Sequence, residues 1–333
     1  MKQNNASVPV IDISALVQQK SDQQAVADQI GGACRDNGFF YIVGHGVSEA
    51  LQHRLEVVSH AFFEQGETVK DQIRMQLGGK AWRGYFPVGG ELTSGKPDLK
   101  EGLYFGEELG ADDPRVAAGL PLHGANLFPE TIAGFRETVL EYLAVMTKLG
   151  HTLMRGFSLS LGLEEDYFAN HYTTDPLILF RIFHYPPPPV EQDINWGVGE
   201  HTDYGVLTIL KQDQIGGLQV KTRSGWFDAP PIENAFVCNI GDMLDRITRG
   251  LYRSTPHRVL NRSRRSRYSY PFFFDPHFDA QITPVDLSQT TVPEDDPQER
   301  WDQSSVHAFQ GTYGDYIMGK VSKVFPELRR DVI

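Results

Sequence analysis

Cysteine is nearly absent from this 333-residue chain, which has only Cys34 and Cys238, far apart in the sequence. That excludes a disulfide framework and a thiolate-built metal site. Long apolar runs are missing too. The longest, such as Phe39-Phe40-Tyr41-Ile42-Val43, fall far short of the ~20 residues that span a bilayer. The opening MKQNNASVPVIDIS has no apolar stretch of signal-peptide length. Positive charge is in deficit, with 31 Lys plus Arg against 43 Asp plus Glu and a formal charge of −12. Nucleic-acid-binding domains usually run basic, so that class of partner is not expected. What is present is 40% hydrophobic and 22% charged, enough apolar material for a packed core and too much for a disordered chain. The expectation is a soluble cytoplasmic enzyme with a small-molecule substrate, and neither nucleic acid nor membrane as partner.

The first half reads as mixed helix and strand. Val8 to Ile13 has strand character, and Gln23–Asp36 places Ala25, Val26, Ile30, Ala33 and Cys34 at helical spacing. Phe39–Val43 is a β-rich run, and Ser48 is placed to cap a helix reaching Phe63. Gly78 to Gly106 is glycine-rich and reads as a long functional loop with short strands. Thr131 to about Leu161 carries an apolar stripe of Phe135, Val139, Leu143, Met146, Leu149 and Leu153 on one long helix. Near Asp175 the texture changes to short β-type runs: Leu177–Tyr185, Val206–Leu210, Leu218–Val220, Ala235–Ile240 and Tyr268–Phe274. Such spacing points to a sandwich, jelly roll or barrel. Pro186 to Pro189 reads as a stiff connector, and Ser304 to Lys320 as a final helix.

The chemistry concentrates in Gly199-Glu-His201-Thr-Asp203-Tyr-Gly205. His201 and Asp203 are two residues apart, so at a strand end both project from one face. One imidazole and one carboxylate are two-thirds of the facial triad that holds non-haem Fe(II). His257, in Ser254-Thr-Pro-His257-Arg-Val, is the best-placed second histidine, just ahead of an apolar strand. Arg267 and Ser269, in Arg265-Ser-Arg267-Tyr-Ser269, also share a face. A guanidinium aimed into a barrel needs an anion, and its fork matches a carboxylate. The three segments together predict a ferrous ion and a dicarboxylate in one jelly roll.

In this order His201–Val220, Asn239-Ile-Gly-Asp-Met-Leu244, Ser254-Thr-Pro-His257-Arg-Val and Arg267-Tyr-Ser269 resemble the Fe(II)/2-oxoglutarate-dependent dioxygenase superfamily. More closely they are similar to its isopenicillin N synthase-like branch. Val8-Pro-Val-Ile-Asp, Gly38-Phe-Phe-Tyr-Ile-Val-Gly-His-Gly46 and Arg83-Gly-Tyr85 carry the resemblance through the N-terminal half. It implies a mainly β core with flanking helices, a distorted double-stranded β-helix spanning 174–280. Around it stand an α+β N-terminal region at 6–125 and supporting helices at 131–170 and 300–330. It implies that His201, Asp203 and His257 ligate iron, and that Arg267, Ser269 and Tyr185 hold the distal carboxylate of 2-oxoglutarate. O2 would then oxidise a substrate C–H bond with release of succinate and CO2, with no protein nucleophile or general base beyond the metal centre. Phe183 stands where many plant relatives carry Asn. Arg83, Tyr85 and Phe273 are the substrate-contact candidates, and the 89–106 stretch a candidate lid. Two rival readings are a 2-oxoglutarate-independent oxidase, since isopenicillin N synthase uses its Arg-x-Ser for a tripeptide carboxylate, and a non-catalytic ligand-binding module.

Other patterns are set aside. Gly90 to Lys96 approximates a phosphate-binding loop, but Pro97 takes the place of the required hydroxyl residue. Arg258, Arg262, Arg264 and Arg265 read as a solvated face, and alternation turns His184 away from Tyr185.

Overall fold

The computed structural model describes residues 8–93, 95–187, 196–222, 225–261, 263, 265–287, 290–293, 295 and 297–324. Pro188, Pro189, Arg262, Arg264 and the end of the 300–330 segment, singled out above, lie outside them. Fourteen strands are described: β1 (Val10–Asp12), β2 (Phe39–Val43), β3 (Gly84–Phe86), β4 (Leu92–Thr93), β5 (Lys96–Pro97), β6 (Glu101–Gly106), β7 (Leu177–Tyr185), β8 (Trp196–His201), β9 (Leu207–Gln212), β10 (Leu218–Thr222), β11 (Gly225–Asp228), β12 (Phe236–Ile240), β13 (His257–Leu260) and β14 (Arg267–Asp275). Eight of them form one sheet in the order β1-β2-β12-β9-β14-β7-β6-β3. A second sheet runs β11-β10-β13-β8, and β4 pairs with β5. The fold is the double-stranded β-helix, with helices against the outer face of the large sheet.

The N-terminal half is built into that sheet. β1 and β2 extend one edge, with Phe39 to Ile42 of β2 antiparallel to β12. β3 and β6 extend the other, with Tyr104 of β6 opposite Arg181 of β7. The glycine-rich 78–106 stretch is therefore more ordered than its composition suggests. It holds β3, the β4–β5 pair and β6, whose six residues are all buried. Pairing with β7 satisfies its backbone, an interaction that local composition does not reveal.

β7 explains why the core strands carry near-continuous apolar runs. Leu179, Arg181, Phe183 and Tyr185 face the interior between the sheets, where they line one cavity. Phe180, on the alternate face, packs on Tyr142 of the helix Phe135–Ser160, with ring centroids 5.1 Å apart. That helix carries the expected stripe, and Phe135, Val139, Leu143, Met146, Leu149 and Leu153 are all buried. It ends where Leu161 and Gly162 turn off the axis, and Gly162 takes a left-handed φ of +70° that suits glycine. The helix Gln23–Asp36 has the predicted bounds, but it buries Ala27 and leaves Ala25 exposed.

The long helix touches the sheet closely at Gly150. A Cβ there would lie 2.3 Å from a ring carbon of Phe274 on β14. Gly150→Ala is expected to lower stability by about 1–3 kcal/mol through overpacking. Thermal unfolding checks this, and an unchanged midpoint would show that the contact yields freely.

Candidate active site

Three side chains from two segments of the chain converge between the sheets. His201 ends β8, His257 begins β13, and these residues pair across the smaller sheet. Asp203 lies two residues past the end of β8, so it reaches the same point through the following turn and not by strand alternation. Asp203 Oδ1 is 3.8 Å from His201 Nε2 and 3.7 Å from His257 Nε2. One ligand atom from each residue lies within 4.8 Å of the others. Among the described residues, this is the one His/Cys/Asp/Glu group of three or more arranged to hold a metal ion.

The surrounding polar groups orient each member. His201 Nδ1 donates to the Gly199 carbonyl at 2.8 Å, and His257 Nδ1 to that of Thr255 at 3.2 Å. Both bonds place the proton on Nδ1 and leave the Nε2 lone pair facing the centre. Burial, then the facing His201 imidazole, pushes the His257 pKa down to about 4, so it is neutral near pH 7. Burial by itself would raise the Asp203 pKa. The His257 and His201 imidazoles and the hydrogen bonds from Asn239 and Thr208 outweigh it and hold the carboxyl below its ordinary value. Thr208 Oγ1 and Asn239 Nδ2 each donate to Asp203 Oδ2 at 2.6 Å. Oδ2 is thus engaged by the protein, and Oδ1 is turned to the imidazoles.

Arg267 opens β14 and is completely buried. Its Nε donates to the Gly216 carbonyl at 2.5 Å, but Nη1 and Nη2 have no hydrogen-bond partner. Its Cζ stands 4.6 Å from the ring centroid of Tyr185, its neighbour across the β14–β7 pair. Ser269 Oγ donates to the Tyr185 hydroxyl at 3.3 Å. A buried, unpaired guanidinium fork beside two hydroxyls is costly until an anion fills it, and a carboxylate fits the fork. The donor set therefore suits the end of a dicarboxylate, and the two imidazoles with one carboxylate suit Fe(II).

All six of these residues line one cavity of about 540 Å³. Phe273 lines it as well, whereas Arg83 and Tyr85 do not. Arg83 is buried beside the 106–126 loop, where Nη2 donates to the Leu122 carbonyl at 2.8 Å. The Tyr85 hydroxyl donates to Glu101 Oε2 at 2.7 Å, within a cluster that includes Lys70 and His184. Arg83 precedes β3 and Tyr85 is its middle residue, at the edge of the large sheet. Arg181, Tyr104, Lys100 and Glu91, none of them in the site motifs, form a polar side wall of the cavity. Two-residue alternation back from Tyr185 was the signal available for Arg181. The cavity is covered by the C-terminal segment: Trp301 Nε1 donates to Thr202 Oγ1 at 3.2 Å, and Ile317 and Val321 of the helix Tyr313–Val324 face in. Among the described residues no helix is long and apolar enough to cross a membrane.

Comparison with known proteins agrees with this geometry. Residues 167–276 match the family model of the 2OG-Fe(II) oxygenase superfamily. Residues 8–131 match the model of the N-terminal region of non-haem dioxygenases in morphine synthesis. A probable iron/ascorbate oxidoreductase of Dictyostelium discoideum is 51% identical, over 98% of this chain and 97% of its own. A 1-aminocyclopropane-1-carboxylate oxidase of Dictyostelium mucoroides is 39% identical, over 96% and 95%. The crystal structure of a full-length Neurospora crassa protein in complex with alpha-KG and thymine superposes with a TM-score of 0.79 at 25% identity, over 97% of this chain and 98% of that one.

Proposed function

The chain belongs to the 2OG-Fe(II) oxygenase superfamily, and from that premise we propose that His201, Asp203 and His257 hold its Fe(II) and that Arg267, Ser269 and Tyr185 hold the distal carboxylate of 2-oxoglutarate. The protein is an Fe(II)- and 2-oxoglutarate-dependent oxidoreductase acting on a small molecule. The metal and cosubstrate supply the oxidising chemistry: O2 and 2-oxoglutarate are consumed, succinate and CO2 are released, and a substrate C–H bond is oxidised. The chain's own residues bind, orient and exclude water. The Gly199 and Thr255 carbonyls hold two imidazoles in the ligating tautomer. Asn239 and Thr208 keep the Asp203 carboxylate ionised and aimed. Trp301 and the C-terminal helix close the cavity. No side chain is needed as nucleophile.

The observation that carries this reading is the Arg267 fork, buried with both terminal nitrogens unpaired in the cavity of the His-Asp-His cluster. We further propose that the chain lies in the isopenicillin N synthase-like branch, on the ordered motifs between His201 and Ser269 and the residue matches of its N-terminal half. The two buried, unpaired cysteines support a reducing compartment such as the cytoplasm.

The test is anaerobic loading with Fe(II) followed by 2-oxoglutarate. A visible charge-transfer band from its bidentate chelate is expected. It should be missing when Zn(II) replaces iron. An iron-loaded protein that gives no band, or that consumes O2 with substrate but without 2-oxoglutarate, overturns the proposal.

A further inference from the structure

Asp203 stands outside the strands, in the 202–206 turn that follows β8. A metal ligand on a turn has to be held to within about half an ångström by its surroundings. Thr208 and Asn239 hold its carboxylate, and two other elements brace its backbone. On one side the helix Asp242–Ile247 begins against the turn. Asp242 N donates to the Asp203 carbonyl at 2.8 Å, and Met243 N to that of Gly205 at 3.0 Å. The approach is so close that a Cβ on Gly241 would lie 2.4 Å from the Gly205 oxygen. On the other side the Asp275 carboxylate, at the end of β14, packs on Gly205. A Cβ on Gly205 would fall 1.4 Å from Asp275 Oδ1.

The C-terminal segment reaches both braces. Tyr313 and Tyr316 are three residues apart, on one face of the helix Tyr313–Val324. The Tyr313 hydroxyl donates to Asp275 Oδ2 at 2.6 Å, and the Tyr316 hydroxyl to Asp242 Oδ2 at 2.7 Å. Both tyrosines and both carboxylates are buried. Trp301 Nε1 adds its bond to Thr202, the residue between His201 and Asp203. Three donors from the end of the chain therefore converge on one turn. Trp301 meets a residue within it, and the two hydroxyls meet the acidic residues that brace it. Covering the cavity requires only the apolar face of Ile317 and Val321, so the hydroxyls have a separate role.

We propose that Tyr313 and Tyr316 are positioning residues for the metal centre, holding the turn that presents Asp203 through Asp275 and Asp242. This rests on the assignment of His201, Asp203 and His257 as the iron ligands. Neither tyrosine is a ligand; each acts through the acidic residue it meets. Docking of the C-terminal helix and retention of iron are then one coupled equilibrium. The coupling is reciprocal, so a helix that strengthens metal binding when docked is itself docked more firmly by the metal.

The experiment measures anaerobic Fe(II) affinity by competition with a chelator, beside thermal unfolding of the metal-free protein. Tyr313→Phe removes one oxygen and should weaken iron binding about tenfold, the lower end of the range for groups that orient a ligand. Tyr316→Phe should weaken it in the same direction. Tyr85→Phe is the matched control. Its hydroxyl also donates to a buried carboxylate, Glu101 at 2.7 Å, but at the edge of the large sheet and outside the cavity. It should leave iron affinity unchanged. At saturating Fe(II) and 2-oxoglutarate the charge-transfer band should shift in Tyr313→Phe and stay in place in Tyr85→Phe. Asp275→Asn combined with Tyr313→Phe should lose no more affinity than the worse single variant, because both cut one path. Amide exchange over 313–324 needs no variant, and Fe(II) should slow it in the wild type. Iron affinity within about twofold of wild type in either tyrosine variant overturns the proposal. So does an equal loss in Tyr85→Phe, an unmoved band in Tyr313→Phe, losses that multiply in the double variant, or exchange that Fe(II) leaves unchanged. A wild type that binds no Fe(II), or an Asp203→Asn protein that binds it fully, is a separate outcome and overturns the ligand assignment beneath the proposal.

Discussion

Asp203→Asn is expected to fold and yet lose its iron. In the wild type two donors, Thr208 Oγ1 and Asn239 Nδ2, converge on Oδ2, leaving Oδ1 for the metal. In the variant the same donors select the amide oxygen for that position, because turning the NH2 toward them would face donor against donor. The NH2 then occupies the Oδ1 position and points at the centre, where it has no lone pair to give. Loss of outer hydrogen-bond partners alone typically costs ~10–100-fold in metal affinity. Removing the ligand itself should therefore cost at least about a hundredfold. The measurement pairs metal content after equilibration with Fe(II) and thermal unfolding of the metal-free protein. A variant that unfolds near the wild-type midpoint but retains full iron overturns the ligand assignment. Asp203→Ala serves as the contrast. It leaves Thr208 and Asn239 without their buried acceptor, so it should lose about 1–3 kcal/mol of stability as well as the metal.

Arg267→Met has a different signature. Arg267 is fully buried and touches none of the three metal-binding candidates, so iron content should stay at the wild-type level. Its two unpaired nitrogens make it a burden on the ligand-free protein, and an apolar side chain of similar reach relieves that burden. The ligand-free variant is therefore expected to be as stable as the wild type or more so. The loss appears when 2-oxoglutarate is added. Two charge-assisted hydrogen bonds at about 1.5–3 kcal/mol each correspond to a hundredfold or greater rise in the dissociation constant. The upward shift of the unfolding midpoint that 2-oxoglutarate gives the wild type should disappear at the same concentration. Arg267→Lys should fall between, since an ammonium is a point charge and cannot span both carboxylate oxygens. A 2-oxoglutarate affinity within about threefold of wild type in the methionine variant would remove Arg267 from the site.

Some features of this site could be read along the chain because they obey local rules. Arg267 and Ser269 share a face by strand alternation, and β14 places both in the cavity. The helix Phe135–Ser160 showed itself through an apolar stripe at 3.6-residue spacing. His201 and Asp203 were read by the same alternation rule, but the structure joins them by a turn beyond the end of β8. Asn239 stood inside a recognised run with no role attached. It lies 36 residues from Asp203, and only β12 crossing behind the metal-ligand cluster brings its amide to Oδ2. Arg83 and Tyr85 were read as substrate contacts, but neither lines the cavity; Arg83 Nη2 donates to the Leu122 carbonyl and the Tyr85 hydroxyl to Glu101. Arg181 shares the cavity face of Tyr185 by two-residue alternation, but its surroundings do not follow from that pattern. Its guanidinium stacks on Tyr104, 77 residues earlier in the chain.

Legible along the chain were the chemical types and their order: a histidine, a carboxylate and a second histidine, then an arginine and a hydroxyl, on β-type runs, in a chain with only two, widely separated cysteines. The tertiary structure decided which oxygen of Asp203 faces inward, which arginines are left unpaired, and which aromatic residues wall the cavity. Periodicity is a property of neighbours along the chain. Burial and hydrogen-bond satisfaction belong to pairs that meet only when distant strands are laid side by side.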